Sequence, residues 1–205
     1  MVGLIDYGVG NLFSLASSFA AVGTDAEIVS TPDGLRRSDR LILPGVGAFR
    51  DAADKLRATG LDSVLLEETR NGKPLLGICL GMQMLFEKSL EYGEHAGLGL
   101  LKGTVKPIRD VIPAEYKIPH IGWNALTLTR PDCPLFSGLS GGEYMYFVHS
   151  YHASGCGDSL AAVTEYGGTL TAAVWKDNVF GCQFHPEKSG TAGLSILRAF
   201  CGVKA

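Results

Sequence analysis

No CxxC pair occurs anywhere in the 205-residue sequence, and the five cysteines at 79, 133, 156, 182 and 201 are odd in number. That pattern argues against a zinc ribbon and against a disulfide framework, and it fits a reducing cytosol. Basic clusters are missing as well: 18 Lys and Arg stand against 21 Asp and Glu, for a net charge of -3. Nucleic acid and anionic membrane surfaces are thereby excluded as main partners. No apolar stretch is long enough to cross a bilayer, and "MVGLIDYGVGN" lacks the basic and long apolar regions of a secretory leader. The chain is therefore expected to be a soluble cytoplasmic protein. Phosphate-binding motifs are also lacking. There is no GxxxxGK[ST] run, and in "DYGVGN" the third glycine of a GxGxxG fingerprint would fall on Phe13. No metal and no cofactor is expected.

What is present is a substantial core. The sequence is 46% hydrophobic and 19% charged, enough for one domain of 205 residues. Its first half alternates strand and helix signals. Residues 2–6, 26–29, 40–45 and 74–78 read as strands, and 11–22, 48–59, 61–70 and 80–90 as helices. That alternation predicts βαβ units and a mostly parallel sheet. From 103 to 184 the pattern changes to short β-type stretches separated by turn residues. These predict antiparallel strands added to the sheet or beside it. Residues 189–200 read as a closing helix with Ser189 as its N-cap. The expected fold class is α/β, a single domain with helices flanking a mostly parallel sheet.

The chemistry centres on "GICLGMQ", where Cys79 sits between Gly77 and Gly81 as an apolar strand turns into a helix. This is the spacing of a Gly-x-nucleophile-x-Gly elbow, with sulfur in place of serine oxygen. A helix N-terminus beside the thiol favours its thiolate. The plain alternative is a small buried cysteine. A nucleophilic thiol needs a base and an orienting group. In "QFHPEKS", Pro186 biases His185 toward extended geometry, which turns His185 and Glu187 to the same side. Attack on a carbonyl also needs oxyanion donors. The Leu80 N–H is one candidate, and the backbone near Val46 or Gly47, in the glycine-rich "LPGVGAF", is the second.

Together these motifs resemble the triad-type glutamine amidotransferases, marked by Cys in GxCxGxQ and a downstream HPE. More narrowly, "DYGVGNL", "LPGVGAF", "GICLGMQMLF", "GLGLLKG", "PHIGWN", "YFVHSY" and "FGCQFHPEKS" are similar to the glutaminase subunits of imidazole glycerol phosphate synthases. Phe13 and Cys182 depart from that pattern. The resemblance implies a flavodoxin-like amidotransferase fold in which Cys79 attacks glutamine, His185 acts as acid and base, and Glu187 orients His185. It further implies glutamine contacts from Gly45, Gln83, Glu91, Ser150 and Tyr151. A carboxylate such as Glu91 suits the α-ammonium. The ammonia would pass to a (β/α)8 cyclase in a heterodimer, met at or near Asn11, Trp123, Tyr146 and Lys188. The cyclase would make imidazole glycerol phosphate and an aminoimidazole carboxamide ribotide in histidine biosynthesis. The residues also allow the same glutaminase serving another synthase, or a cysteine hydrolase on the same fold.

Overall fold

Continuous apolar runs dictate the centre of the molecule. In the computed structural model, which describes residues 1–203, the first half alternates as the sequence predicts. It runs β1 (Val2–Ile5), α1 (Leu12–Ala21), β2 (Ala26–Val29), α2 (Pro32–Arg37), β3 (Arg40–Leu43), α3 (Phe49–Ala58), α4 (Leu61–Arg70), β4 (Leu75–Ile78) and α5 (Leu80–Met84). The second half holds β5 (Phe86–Ser89), β6 (His95–Ala96), β7 (Leu101–Pro107), β8 (His120–Ala125), β9 (Thr127–Leu128) and β10 (Tyr144–His149). It continues with β11 (Tyr151–Ser154), β12 (Leu160–Glu165), β13 (Thr169–Lys176), β14 (Val179–Cys182) and α6 (Gly190–Gly202).

Eight strands form the main sheet in the order β2-β1-β3-β4-β14-β13-β12-β9. The five from β2 to β14 are parallel, and the remaining three add antiparallel. All residues of β1, β4 and β14 are buried, as expected for parallel strands covered on both faces. Leu41, Leu43 and Leu75 pack with Phe49, Leu56, Leu61 and Leu65 of α3 and α4 on one face. Ile42, Leu76 and Ile78 pack with Leu15, Phe19, Ile196 and Phe200 of α1 and α6 on the other. The later strands do both things the sequence allows. Some extend the sheet, while β11-β7-β5-β6 and the β10-β8 pair stand beside it.

Three local differences from the sequence reading have clear causes. The helix expected over 80–90 ends at Met84, and β5 begins at Phe86. The carbonyls of Met84 and Leu85 are taken by the N–H groups of Leu98, Leu100 and Leu101, so no second helical turn can use them. The short helix α2 is additional. Thr31 caps it by accepting from the Gly34 N–H at 3.2 Å, with Pro32 in its first turn. Ser189 does precede α6, but its hydroxyl donates to the His185 carbonyl at 2.6 Å and makes no cap bond.

Candidate active site

The carboxyl ends of β1, β3, β4 and β14 converge, which is where open α/β sheets place their ligand sites. Cys79 follows β4 directly, with φ 55° and ψ -109°, a conformation that costs a non-glycine residue energy. The flanking glycines make this turn possible. A Cβ on Gly81 would lie 1.8 Å from the Leu43 carbonyl oxygen, and one on Gly77 would lie 2.7 Å from that of Gly81. The Cys79 N–H donates to the Cys182 carbonyl at 2.8 Å, tying the elbow to the end of β14.

The same end of β14 delivers His185. The His185 N–H donates to the Tyr146 carbonyl at 2.9 Å, while the Ser189 hydroxyl accepts from the Tyr146 N–H at 3.0 Å. These bonds fix the "HPE" turn against β10. Glu187 Oε1 lies 2.8 Å from His185 Nδ1, with both side chains almost fully buried. Burial alone pushes His185 down. Hydrogen bonding and charge interaction with Cys79 and Glu187 outweigh it and hold the imidazole up at about 9. The sequence-predicted triad is thus brought together in space.

Gln83 and Gln183 complete the floor of the site. Gln183 Nε2 donates to Cys79 Sγ at 3.7 Å, and its Oε1 accepts from Gln83 Nε2 at 3.0 Å. Gln83 also donates to the Tyr151 carbonyl at 3.0 Å, and the Cys79 thiol faces the Val148 carbonyl at 3.9 Å. Sequence reasoning missed Gln183, Val148, Pro119 and His149. Gln183 alone had a usable signal, an amide two residues before the histidine.

A cavity of about 350 Å³ opens over the thiol, lined by Val46, Gly47, Leu80, Gln83, Glu91, Ser150, Tyr151, His185 and Lys188 among others. It suits a small polar molecule. A wider groove of about 450 Å³ between residues 134–138 and α6 lies away from it, and Cys79, His185 and Glu187 are absent from its walls. Gly45 is a buried member of the "LPGVGAF" loop and is outside the lining of the 350 Å³ cavity. A Cβ there would lie 2.8 Å from the Gly81 N–H nitrogen, so close packing demands this glycine. Glu91 lies at the rim, and one of its carboxylate oxygens accepts from the Phe49 N–H at the start of α3. Burial raises the Tyr151 hydroxyl, with the charges of Glu91 and Tyr92 adding to the shift.

The four surface positions lie on one side of the site. Trp123 and Tyr146 meet edge to face at 5.8 Å across β8 and β10, and the Lys188 ammonium lies 5.7 Å from the Tyr146 ring centre. Asn11 caps α1 by accepting from the Ser14 N–H and shares a narrow cleft with Val46, Glu187 and Lys188. No group of three metal-ligating side chains gathers among the described residues.

Comparisons with known proteins bear on the family and the fold. Residues 3–202 match the family model described as "Glutamine amidotransferase class-I". The chain is 51% identical over 201 residues to "Imidazole glycerol phosphate synthase subunit HisH" of Caldanaerobacter subterraneus subsp. tengcongensis, covering 98% of this chain and 97% of that protein. It is 48% identical over 205 residues to the subunit of the same name from Wolinella succinogenes, covering 99% of this chain and all of that one. Among solved structures, "Structure of PurLQS from Thermotoga maritima" superposes with a TM-score of 0.76 at 21% identity, covering 98% of this chain and 96% of that one. This last likeness is one of fold.

Proposed function

The chain belongs to the class-I glutamine amidotransferases, and from that premise we propose that it is the glutaminase subunit of an imidazole glycerol phosphate synthase. The single observation that carries the chemistry is the meeting of Cys79, His185 and Glu187 where β4 and β14 end side by side. Its kinship along the whole chain to HisH subunits carries the pathway, histidine biosynthesis.

Glutamine enters with its carboxamide against the thiol. The Cys79 thiolate adds to the carboxamide carbon, and the C=O electron pair moves onto oxygen. The Leu80 N–H has no intrahelical partner at the start of α5 and receives that oxyanion, with a second N–H from Val46 or Gly47. His185 gives its proton to the departing nitrogen, so the C–N bond breaks and ammonia leaves a thioester. Neutral His185 then takes a proton from water. The hydroxide displaces sulfur, and glutamate is released with the thiolate restored. Glu187 fixes the imidazole through Nδ1 and stabilises its protonated form. The unengaged oxygen of Glu91 takes the α-ammonium, while Ser150, Tyr151 and Gln83 hold the rest of the amino acid and Gly45 shapes the loop above it.

Ammonia in water is mostly protonated and inert as a nucleophile, so it passes directly to a (β/α)8 cyclase docked over Asn11, Trp123, Tyr146 and Lys188. The protein works in the cytoplasm as one amidotransferase domain, with no metal or cofactor. The test is Cys79→Ala in the reconstituted pair. Glutamine-dependent synthesis should fall by at least about a thousandfold, the scale of losing a nucleophile, while synthesis from added ammonium salts persists. Retained glutamine turnover would remove Cys79 as the nucleophile. Failure with ammonia as well would point to another acceptor enzyme.

A further inference from the structure

From the cavity wall at His149 and Tyr151 a chain of hydrogen-bonding groups that the mechanism does not use runs back into the protein. His149 Nδ1 lies 2.8 Å from the Tyr151 carbonyl. His149 Nε2 lies 3.1 Å from His120 Nδ1, and His120 Nε2 lies 2.8 Å from Asn124 Oδ1. Asn124 Nδ2 then donates to the Glu165 carbonyl at 2.8 Å. Both histidines are buried, and Asn124 belongs to β8, whose Ile121 and Trp123 side chains are more than half exposed.

Counting hydrogens exposes a conflict. A neutral imidazole donates from one nitrogen and accepts at the other, and an amide likewise presents one donor end and one acceptor end. A row of such groups must therefore point its donors all one way. Here both ends of the row are carbonyl oxygens, which only accept. With two neutral imidazoles, one of the four junctions must lack a hydrogen. A third proton on the pair would fill it. Burial opposes that, pushing His149 down to about 3 with the charges of His120, His152 and His185 adding to the effect, and lowering His120 too.

The amide of Asn124 decides where the gap falls. Its Nδ2 is held by Glu165, so its Oδ1 faces His120 and calls for the Nε2–H tautomer. His120 Nδ1 is then bare and competes with the Tyr151 carbonyl for the one proton of His149. The junction between the imidazoles, at 3.1 Å, is the longest of the four. Tyr151 tolerates losing His149 because its carbonyl keeps the bond from Gln83.

We propose that Asn124, His120 and His149 are positioning residues forming a tautomer relay, one hydrogen short, that couples β8 to the Tyr151 wall of the glutamine pocket. In one arrangement the His149 proton holds Tyr151; in the other it turns to His120 and the wall loosens. Anything that moves β8 shifts the balance between them. The proposal rests on the reading of the cavity as a glutamine site.

Two opposite changes at residue 124 should have the same effect. Asn124→Leu removes the acceptor, so His120 can carry its hydrogen on Nδ1 and donate to His149. Asn124→Asp supplies a charge that lets the pair hold three protons. Either way His149 is locked as the Nδ1–H form on Tyr151. Nitrogen-15 spectra of the full chain should show averaged His149 ring nitrogens in the wild type and a protonated Nδ1 in both variants. Alkylation of Cys79 by a diazoketone analogue of glutamine should show KI lowered by the reciprocal of the competent fraction, on the order of twofold to tenfold, with little change in maximal rate. A merely structural Asn124 would instead raise KI in both. A fixed Nδ1–H signal already in the wild type, or a KI that either variant leaves unchanged or raises, overturns the relay. If the analogue labels none of the proteins while iodoacetamide still does, the glutamine reading fails first, and the nitrogen spectra still judge the relay.

Discussion

His185 is pulled in two directions, and the outcome is measurable. Burial favours its neutral form, while Cys79 and Glu187 hold it protonated up to about 9 against an ordinary 6.5. Because the folded-state value is raised, the resulting stability is fully present below about pH 6.5 and is lost as pH rises through about 9. The difference corresponds to about 3 kcal/mol. Urea unfolding followed across that window should show the loss in the wild type and a shallower slope in Glu187→Gln; a flat wild-type profile would contradict the assignment. The elbow and the His-Pro-Glu turn were each legible because each is local, whereas their meeting joins segments far apart in the chain. His149 was not, since its partner His120 is distant in sequence, and Gln183 was announced only by its amide two residues before His185. Glu91 was only half legible. It lines the cavity, yet no spacing rule announces that its carboxylate caps α3.

The elbow makes the sharpest demand among the elements. Gly81→Ala would drive a Cβ into the Leu43 carbonyl at the end of β3, where the atoms it meets are backbone with no flexible side chain to give way. We expect it to cost at least about 3 kcal/mol or to prevent folding. Gly72→Ala is the control, a turn with φ 97° and no atom near the added methyl, where only backbone strain of about 1 kcal/mol applies. Denaturation midpoints of the two variants should separate clearly, and equal costs would mean that the elbow can relax. The helices α1, α3 and α4 were readable because their apolar spacing and their packing agree. The stretch after Cys79 misleads for the opposite reason. Met82, Leu85 and Phe86 keep helical spacing, but the backbone groups that would continue the helix are claimed by residues 98–101. Periodicity reports which side chains seek the core, and it is silent about competing carbonyl partners.

For the whole molecule, the exposed apolar side chains matter more than the modest net charge. Ile121, Trp123 and Tyr144 are exposed on the β10-β8 pair, which stands beside the main sheet. Trp123→Ala should weaken capture of the cyclase by more than about tenfold, as loss of a central aromatic does, while lowering the melting temperature of the free subunit only slightly, through the lost contact with Tyr146. Titration calorimetry and thermal unfolding separate these, and unaltered affinity would move the docking face elsewhere. The parallel sheet was foreseeable from alternating signals, whereas the pairing of β14 with β4 was not, because nothing local links segments so far apart. That pairing also orders events during synthesis. Cys79 emerges from the ribosome long before β14, and at typical elongation rates the wait is about 5 to 20 seconds. Meanwhile β4 lacks one neighbour, an apolar strand with an open edge that calls for chaperone cover. Cys79 meets His185 and Glu187 only when translation has passed residue 187. A prematurely terminated chain therefore cannot drain glutamine, and catalysis begins only once the message has been read past its last strand.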